Sequence, residues 1–264
     1  MKKFLLYTTL IYLAPSLYAH SDTSKPHPSE PKKQPSRGQW TKEQAVKILK
    51  IAEDIRSPDK AVISSDLKTM SDKKESLYDM RILRSTEQRA YLEFLGPPEE
   101  VGRRMLAKGR RYWSTFPDSK RVVAISKKEM IGNSVFALAD MFQIDADADY
   151  DPTIDDIESV DGKEALRLEL KAKHDDAPYA HITYWVEKDT SFPLKAKFYG
   201  VSGKHLKTLT VESRATLAGR LRPDITKMTD ETVKGHISWW KTKTMVREEI
   251  PEHVFSKDFL SSKI

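Results

Sequence analysis

Apolar residues recur at helical spacing over residues 41–57, which predicts an amphipathic helix. Its apolar stripe consists of Ala45, Ile48, Leu49, Ala52 and Ile55. Thr41 and Gln44 have the spacing of a capping box at the helix start, and Ser57-Pro58 stops the helix. Because only one face is apolar, the helix must lie against another part of the protein.

After this helix the period of the apolar residues changes to two, which indicates β-strands. Strands are predicted within residues 77–126 and 154–247, about ten in all, with a helical or irregular stretch over 134–150 between them. The alternation is clearest over 165–173, where apolar residues point to one face and charged residues to the other. Short links without a strand–helix–strand pattern imply one antiparallel meander.

A large curved sheet with one apolar face needs a filler, and helix 41–57 is the obvious candidate. Adjacent aromatic residues on a strand put one ring on each face, so each such pair directs one large ring inward. Ordinary core packing explains part of this pattern. The alternative is that the helix leaves a concave apolar site. The candidates for lining such a cavity are Ile48, Ile55, Met105, Trp113, Phe136, Met141, Leu166, Leu168, Tyr184, Trp185 and Trp239.

The first nineteen residues have the pattern of a secretory signal peptide. Lys2 and Lys3 precede an apolar run over residues 4–17, and Ala19 supplies a small residue for cleavage. This run is shorter than the roughly 20 residues of a spanning helix, so a membrane anchor is the less favoured interpretation. No cysteine follows that could carry a lipid anchor. We therefore expect an exported, periplasmic protein that is cleaved near Ala19 and has no lipid anchor.

The domain organisation follows from composition. Residues 20–39 hold four prolines and no large apolar residue, which predicts a disordered, proline-rich tether. Residues 40–264 are predicted to form a single domain. The absence of cysteine excludes disulfides and thiolate chemistry, so the apolar core must carry the stability.

The net charge of +6 raises two classes of partner. Nucleic acid is not expected, because the chain is predicted to be exported and carries no helix-turn-helix, zinc-finger or RNA-binding motif. Anionic lipid headgroups fit an exported basic protein better, and transient membrane contact is the corresponding prediction.

No catalytic or metal-binding pattern stands out. Metalloprotease and α/β-hydrolase motifs are missing. The acidic stretch from Asp140 to Asp151 fails as a calcium loop, because Tyr150 stands where a glycine is required, and a solvated loop is preferred. His181 shares a strand face with aromatic residues, so a hydrolase acting there is a minor alternative. We expect no cofactor, no metal and no enzyme activity.

Residues 95–141 resemble the core of exported outer-membrane lipoprotein-sorting proteins, a branch of the LolA-like families. The matching positions are Pro98, Gly102, Met105-Leu106, Gly109, Trp113, Pro117, Arg121, Ser126, Gly132, Ser134, Phe136 and Asp140. Later matches are Tyr179, Trp185-Val186, Pro193-Leu194-Lys195, Gly203, Lys207, Pro251, Phe255 and Leu260. The resemblance covers roughly residues 42–260 and departs from the family after Asp140, at FQIDADADY.

This resemblance implies a mainly β (α+β) fold. An open antiparallel β half-barrel would wrap around the N-terminal helix and a short central helical segment, leaving an apolar cavity for acyl chains. It also implies a periplasmic carrier or chaperone for lipoproteins or lipid-like cargo, which could work with an inner-membrane transporter. The alternative is a non-carrier periplasmic module that docks on an inner-membrane exporter. An interior packed solid between sheet and helix would favour docking, and an apolar groove would favour carriage.

Overall fold

The computed structural model describes residues 40–262 except 73, 87 and 118. The predicted signal peptide and most of what was expected as a tether lie outside the described residues, and so do the last two residues of the chain. Among the described helices, none combines the length and apolar character needed to cross a membrane.

The described residues form thirteen strands, two α-helices and two short 3-10 turns. The helices are α1 (Lys42–Arg56) and α2 (Lys257–Ser261), and the 3-10 turns are Leu138–Met141 and Glu252–Phe255. The strands are β1 (Ala61–Ser71), β2 (Lys74–Ser85), β3 (Arg89–Gly96), β4 (Arg104–Lys108), β5 (Arg111–Phe116), β6 (Ser119–Ile125), β7 (Tyr150–Val160), β8 (Lys163–Ala172), β9 (His181–Glu187), β10 (Pro193–Tyr199), β11 (His205–Leu217), β12 (Arg220–Asp230) and β13 (Ile237–Arg247).

All strands belong to one antiparallel sheet, in the order β6-β5-β4-β3-β2-β1-β13-β12-β11-β10-β9-β8-β7. The chain starts in the middle of the sheet at β1 and proceeds outward to the β6 edge. It then crosses to the β7 edge and returns strand by strand until β13 pairs with β1. The two edges are not paired with each other, so the sheet is an open half-barrel and the predicted fold class is confirmed.

Helix α1 fills part of the concave face of this sheet, as its single apolar stripe requires. Thr41 and Gln44 form the predicted capping box. At the other end of the helix, the buried guanidinium of Arg222 donates hydrogen bonds to the carbonyl oxygens of Asp54 and Ile55. These groups have no partner within the helix, so Arg222 both caps α1 and fastens it to β12. The helix packs against β7, β10 and β12.

Strand β1 was not predicted from the sequence. Its residues alternate between buried and more exposed positions, but two of the buried ones are Ser65 and Thr69. Because small polar residues occupy these inward positions, the apolar alternation is interrupted at every other inward site. The hydroxyl of Ser238 on β13 donates a hydrogen bond of 2.8 Å to the Thr69 hydroxyl, which supplies the polar partner that burial demands.

The convex face of β3–β5 is covered by the C-terminal residues 250–262, called the C-terminal strap here. An apolar cluster forms between the strap and the sheet, and its buried members are Leu83, Tyr91, Leu106, Trp113, Val254, Phe255 and Leu260. Arg104 holds the end of the strap, because its guanidinium donates to the carbonyl oxygens of Leu260 and Ser262. Strands β3–β5, near the β6 edge, are therefore covered on both faces.

Candidate ligand cavity

The chain between β6 and β7, residues 126–149, crosses the concave face and is called the crossing segment here. Its aromatic side chains pack into the sheet: Phe136 lies edge-on to Trp240 at 5.5 Å between ring centroids, and Phe142 to Tyr112 at 5.8 Å. The backbone amide of Val135 donates to the Ser238 hydroxyl. Together with α1, the crossing segment forms the second wall of the half-barrel interior.

Two cavities lie between this wall and the sheet. The first encloses about 620 Å³ of empty space including its mouth, beside the C-terminal end of α1. Its apolar lining consists of Ile63, Ile82, Phe136, Met141, Leu209, Pro223, Trp240 and Met245. The second encloses about 520 Å³ and is lined by apolar and aromatic side chains that include Phe142, Ile144, Tyr150, Ile182, Tyr184, Ala196, Phe198 and Leu209.

Arg56, Asp140 and Leu209 line both cavities. These three residues therefore stand where the two spaces meet. Both spaces are mostly apolar with a few polar groups, which is the usual chemistry of small-molecule sites. The interior is partly filled rather than solid.

A buried carboxylate on α1, that of Glu53, connects the helix to the sheet and to the crossing segment. Glu53 accepts hydrogen bonds from the Arg56 guanidinium, from the Tyr184 hydroxyl at 2.8 Å and from the Ile144 backbone amide at 2.7 Å. Burial alone would lower the pKa of Arg56, but the Glu53 carboxylate raises it, so this arginine is charged. The pKa of Tyr184 is raised by burial and by Glu53, which keeps its hydroxyl a donor.

Two arginines hold the crossing segment through its backbone carbonyl groups. Arg56 donates to the carbonyl oxygens of Asp140 and Phe142, and Arg84 on β2 donates to that of Met141 at 2.9 Å. Arg84 also donates to the Ser57 hydroxyl at the end of α1. Burial lowers the pKa of Arg84 to about 10, which still leaves it charged at neutral pH. Charge-assisted bonds therefore join the helix, the sheet and the crossing segment.

A third contact involves the Asp140 carboxylate, whose side chain is almost fully buried. It accepts from the Ala137 amide at 2.8 Å and from the Tyr179 hydroxyl at 2.7 Å. Lys207 on β11 approaches the same carboxylate at 3.4 Å and lies 5.7 Å from the Tyr179 ring centroid. The crossing segment is thereby fixed to β11 and to the residues that precede β9.

The eleven predicted cavity residues are distributed over both faces of the sheet. Phe136 and Met141 line the first cavity, and Tyr184 lines the second. Met105, Leu166 and Leu168 belong to the concave core, against which Ile48 packs. Ile55 joins a smaller cluster that includes Phe192 and Leu194. Their contact with a ligand stays a prediction.

The three predicted tryptophans lie away from both cavities. Trp113 is in the convex cluster beneath the C-terminal strap. Trp185 carries the Lys195 and Lys197 ammonium groups near its ring and donates to Glu158. Trp239 is half-buried, and the concave member of its pair is Trp240. Each pair does put one ring inward, but the inward rings are those of Tyr112, Tyr184 and Trp240.

Sequence reasoning missed the charged residues of this site. Glu53 follows Leu49 by four residues, so it occupies the apolar stripe of α1, and Arg84 follows Met80 and Ile82 in the inward phase of β2. A charged residue in an apolar phase was the available signal, because such a residue must find a buried partner.

The acidic stretch differs from the solvated loop that was preferred. Asp140 is buried, and Asp145 accepts from two backbone amides of its own turn. Asp147 and Asp151 form ion pairs of 2.6 Å with Lys50 and Lys42 of α1. In the described part of the chain, no group of three or more His, Asp and Glu side chains is placed to hold a metal ion.

His181 projects on the same strand face as Trp185, opposite to Tyr184. Its Nε2 lies 2.7 Å from the Glu169 carboxylate, and its ring is tilted against Tyr199. It lines neither of the two interior cavities.

Comparison with solved structures identifies the fold. A LolA superfamily protein from Nitrosomonas europaea superposes with a TM-score of 0.75 at 28% identity, over 82% of this chain and 99% of that chain. A domain described as an outer-membrane lipoprotein-sorting protein, from Vibrio parahaemolyticus, gives 0.75 at 21% identity, over 84% and 100% of the two chains. A DUF1329 family protein from Desulfovibrio piger gives 0.73 at 18% identity, over 82% and 99%. The predicted resemblance to LolA-like proteins is confirmed.

The comparison with curated proteins found no match. A protein-family model described as an uncharacterized protein matches residues 86–262, which span β3 through the C-terminal strap. Because this match covers more than half of the sequence, the chain belongs to that family, and its structure shows a LolA-like open half-barrel.

Proposed function

We propose that the protein is a periplasmic carrier that binds the acyl chains of lipoproteins, or of other lipid-like cargo, in the interior of the half-barrel. The observation that carries this proposal is the pair of apolar cavities that meet at Arg56, Asp140 and Leu209. The LolA-like fold supports it as well, since two of the similar structures are described as belonging to the LolA superfamily or as lipoprotein-sorting.

The energetics of acyl transport suit this interior. Each methylene exposed to water costs about 0.8 kcal/mol, so a carrier must cover the whole chain. It must also release the chain, and a permanently open, deep pocket would oppose release. An interior partly occupied by α1 and the crossing segment can cover the acyl chain and can also release it.

The hydrogen bonds of the wall explain how the interior could enlarge. Arg56 and Arg84 hold the crossing segment at backbone carbonyl groups, which any residue offers and water can replace. A hydrogen bond to a charged group contributes about 1.5–3 kcal/mol net. We infer that cargo binding displaces the crossing segment while the sheet stays intact, with water and the buried acyl chain compensating for the contacts that break. This role requires no reaction chemistry.

Location, domain structure and partners are parts of the same proposal. The predicted signal peptide would direct the chain to the periplasm, and residues 40–264 would act as one domain. An inner-membrane transporter would deliver or accept cargo. The docking-module alternative predicted a solid interior, and the two cavities favour carriage over it.

The test is to purify the mature protein from the cell envelope, extract it with organic solvent and identify the bound molecules by mass spectrometry. A fluorescent fatty acid should also gain emission on binding. Leu209→Trp fills the point where the cavities meet and should abolish both signals. Leu77→Trp adds the same volume at an exposed site on β2 and should preserve them. A wild-type protein that carries no lipid and leaves the probe dark would contradict carriage.

A further inference from the structure

An open groove lies on the outer side of the second cavity and has no role in the proposal above. It encloses about 1140 Å³ of empty space. Three parts of the chain form it: the crossing segment, the end of β8 with the link to β9, and the β10–β11 turn. The groove is therefore built where the crossing segment meets the returning half of the sheet.

The floor of this groove is apolar. Its apolar lining includes Met130, Ala137, Ala177, Pro178, Val201 and Leu206. The strand-like bridge between Met130 and Ala137 shapes one wall. Val201, at the tip of the β10–β11 turn, is 89% exposed, which leaves the outer end of the floor open to solvent.

The rim of the groove is basic. Lys128, Lys171, Lys173, His174 and Lys207 line it, and Asp175 is the acidic member of this lining. Lys173 donates to backbone carbonyl oxygens, and His174 pairs with Asp149 at 2.9 Å. Within the described part of the chain, Lys128 and Lys171 have no ion-pair partner. Two unneutralised cations beside an apolar floor suit an amphiphile with a negative head.

A thin partition separates the groove from the interior. Ala139, Pro178 and Tyr179 line both the groove and the second cavity. The Tyr179 hydroxyl is held by Asp140, and Lys207 reaches the same carboxylate from the groove side. The partition is thus fastened by one buried carboxylate that contacts two side chains, those of Tyr179 and Lys207.

We propose that this groove is the head-group site for an amphiphile with an anionic head, whose acyl tail passes the Tyr179 partition into the interior cavity. The head lies among Lys128, Lys171 and Lys207. An anionic head competes with Asp140 for the Lys207 ammonium, which loosens the partition as the ligand arrives. The inference rests on the proposed carrier function, because it assigns the cargo a head-group class and a route to the same interior.

The test compares ligands with equal tails and different heads. A fluorescent fatty acid bound to the full mature protein is displaced by oleate, by oleoyl-lysophosphatidylglycerol and by methyl oleate, and inorganic phosphate serves as a head without a tail. We expect both anionic amphiphiles to compete about tenfold better than the ester. Phosphate alone should not displace the probe.

Two matched double variants locate the effect. Lys128→Gln with Lys171→Gln should remove most of the tenfold advantage of both anions, since only Lys207 remains beside the head, and should leave the affinity for the ester unchanged. Lys234→Gln with Lys241→Gln removes the same net charge from exposed positions outside the groove and should change neither.

The outcomes separate this proposal from the carrier proposal. Equal competition by acid and ester in the wild type, or equal losses in the two double variants, would overturn the head-group site while leaving acyl binding intact. Displacement by inorganic phosphate alone would indicate a free-anion site and would also overturn it. Failure of every amphiphile to displace the probe, with no lipid bound after purification, would remove the carrier function and this inference together.

Discussion

The two faces of the half-barrel bury their side chains in different ways. On the convex face, the C-terminal strap covers a continuous apolar cluster in which Phe255 and Leu260 are almost fully buried. On the concave face, the wall encloses two cavities and a set of buried charges that includes Glu53, Arg56 and Arg84. One chain thus contains a dry, filled interface and a polar, partly empty one.

This difference indicates that the convex face mainly stabilises the fold, whereas the concave face is suited to binding. Filling a cluster with apolar side chains is the direct way to stabilise a fold, and the strap does this. Burying charges beside empty space costs desolvation, and hydrophobic replacements are often as stable or more so. Local departures from efficient packing are expected where a protein must bind or move. The concave wall combines buried charges with empty space, as expected for a part of the protein that moves to admit a ligand.

The largest expected effect comes from the charge that joins the concave wall. Glu53→Gln keeps the shape of the side chain but leaves Arg56 without its buried counter-ion. We expect a loss of about 3–5 kcal/mol in the free energy of unfolding, measured by urea denaturation. Hydrogen exchange should increase first in the crossing segment, because the Ile144 amide and the Arg56 contacts depend on this carboxylate.

The neighbouring carboxylate is the control. Asp54 pairs at the surface with Arg220 at 2.9 Å and Arg247 at 3.5 Å, and its side chain is 38% exposed. Asp54→Asn should therefore cost no more than about 1 kcal/mol. Equal losses in the two variants would show that the buried carboxylate has no special part in the wall.

The next effect tests the convex cluster. Leu260→Ala removes a fully buried side chain of the strap itself and should cost about 2–5 kcal/mol of unfolding free energy. Leu77→Ala, at a 55% exposed position, should cost far less. Fatty-acid binding by the folded Leu260→Ala protein should match the wild type. A change in probe affinity there would mean that the two faces are coupled, which would break the comparison.

A smaller effect compares two buried tyrosines across the sheet. Tyr184→Phe removes the hydroxyl that donates to Glu53, so we expect a loss of about 1.5–3 kcal/mol. Tyr91 in the convex cluster has a buried hydroxyl without a hydrogen-bond partner. Tyr91→Phe should be neutral or stabilising, because it removes an unsatisfied polar atom. Thermal unfolding of the two variants side by side is sufficient, and a reversed order would contradict the assignment of polar and dry faces.

The sequence predicts those parts of this structure that depend on local patterns. Helix α1 carries its own stripe and capping box, so its position follows from a few neighbouring residues. Strand β1 could not be predicted because its inward positions include the polar residues Ser65 and Thr69. The hydrogen-bond partner of Thr69 is Ser238 on β13, far away in the chain. The fold class could be predicted without β1, because the other predicted strands already require one large antiparallel sheet.

The choice of inward ring depends on register. Trp239 and Trp240 are equally aromatic, and which one points inward is decided by the pairing of β13 with β1, where Trp240 stands opposite Leu67. A β-bulge between Ser64 and Ser65 shifts that register along the pair. The residues next to the two tryptophans do not determine this register. Which ring faces the cavity could therefore not be predicted from the sequence, and the cavity lining was predicted only in part.

The smallest expected effect concerns a charge network at the margin of the sheet, outside both clusters. Partial burial alone would raise the pKa of Glu187, but hydrogen bonds from Lys163, Thr190 and Arg214 lower it to about 2. A carboxyl whose pKa is lower in the folded state stabilises the fold above its ordinary pKa of 4.5, and that stability is lost as pH falls toward 2.

Glu187→Gln should therefore lower Tm by about 2–4 °C at pH 7, with the difference in Tm from the wild type disappearing near pH 2. Glu164→Gln removes a more exposed carboxylate that pairs with Lys188 and should show almost no gap at either pH. A Glu187 effect as large as that of Glu53, or one that persists at pH 2, would mean that fully and partly buried charges contribute alike, and the contrast between the wall and the rest of the molecule would fail.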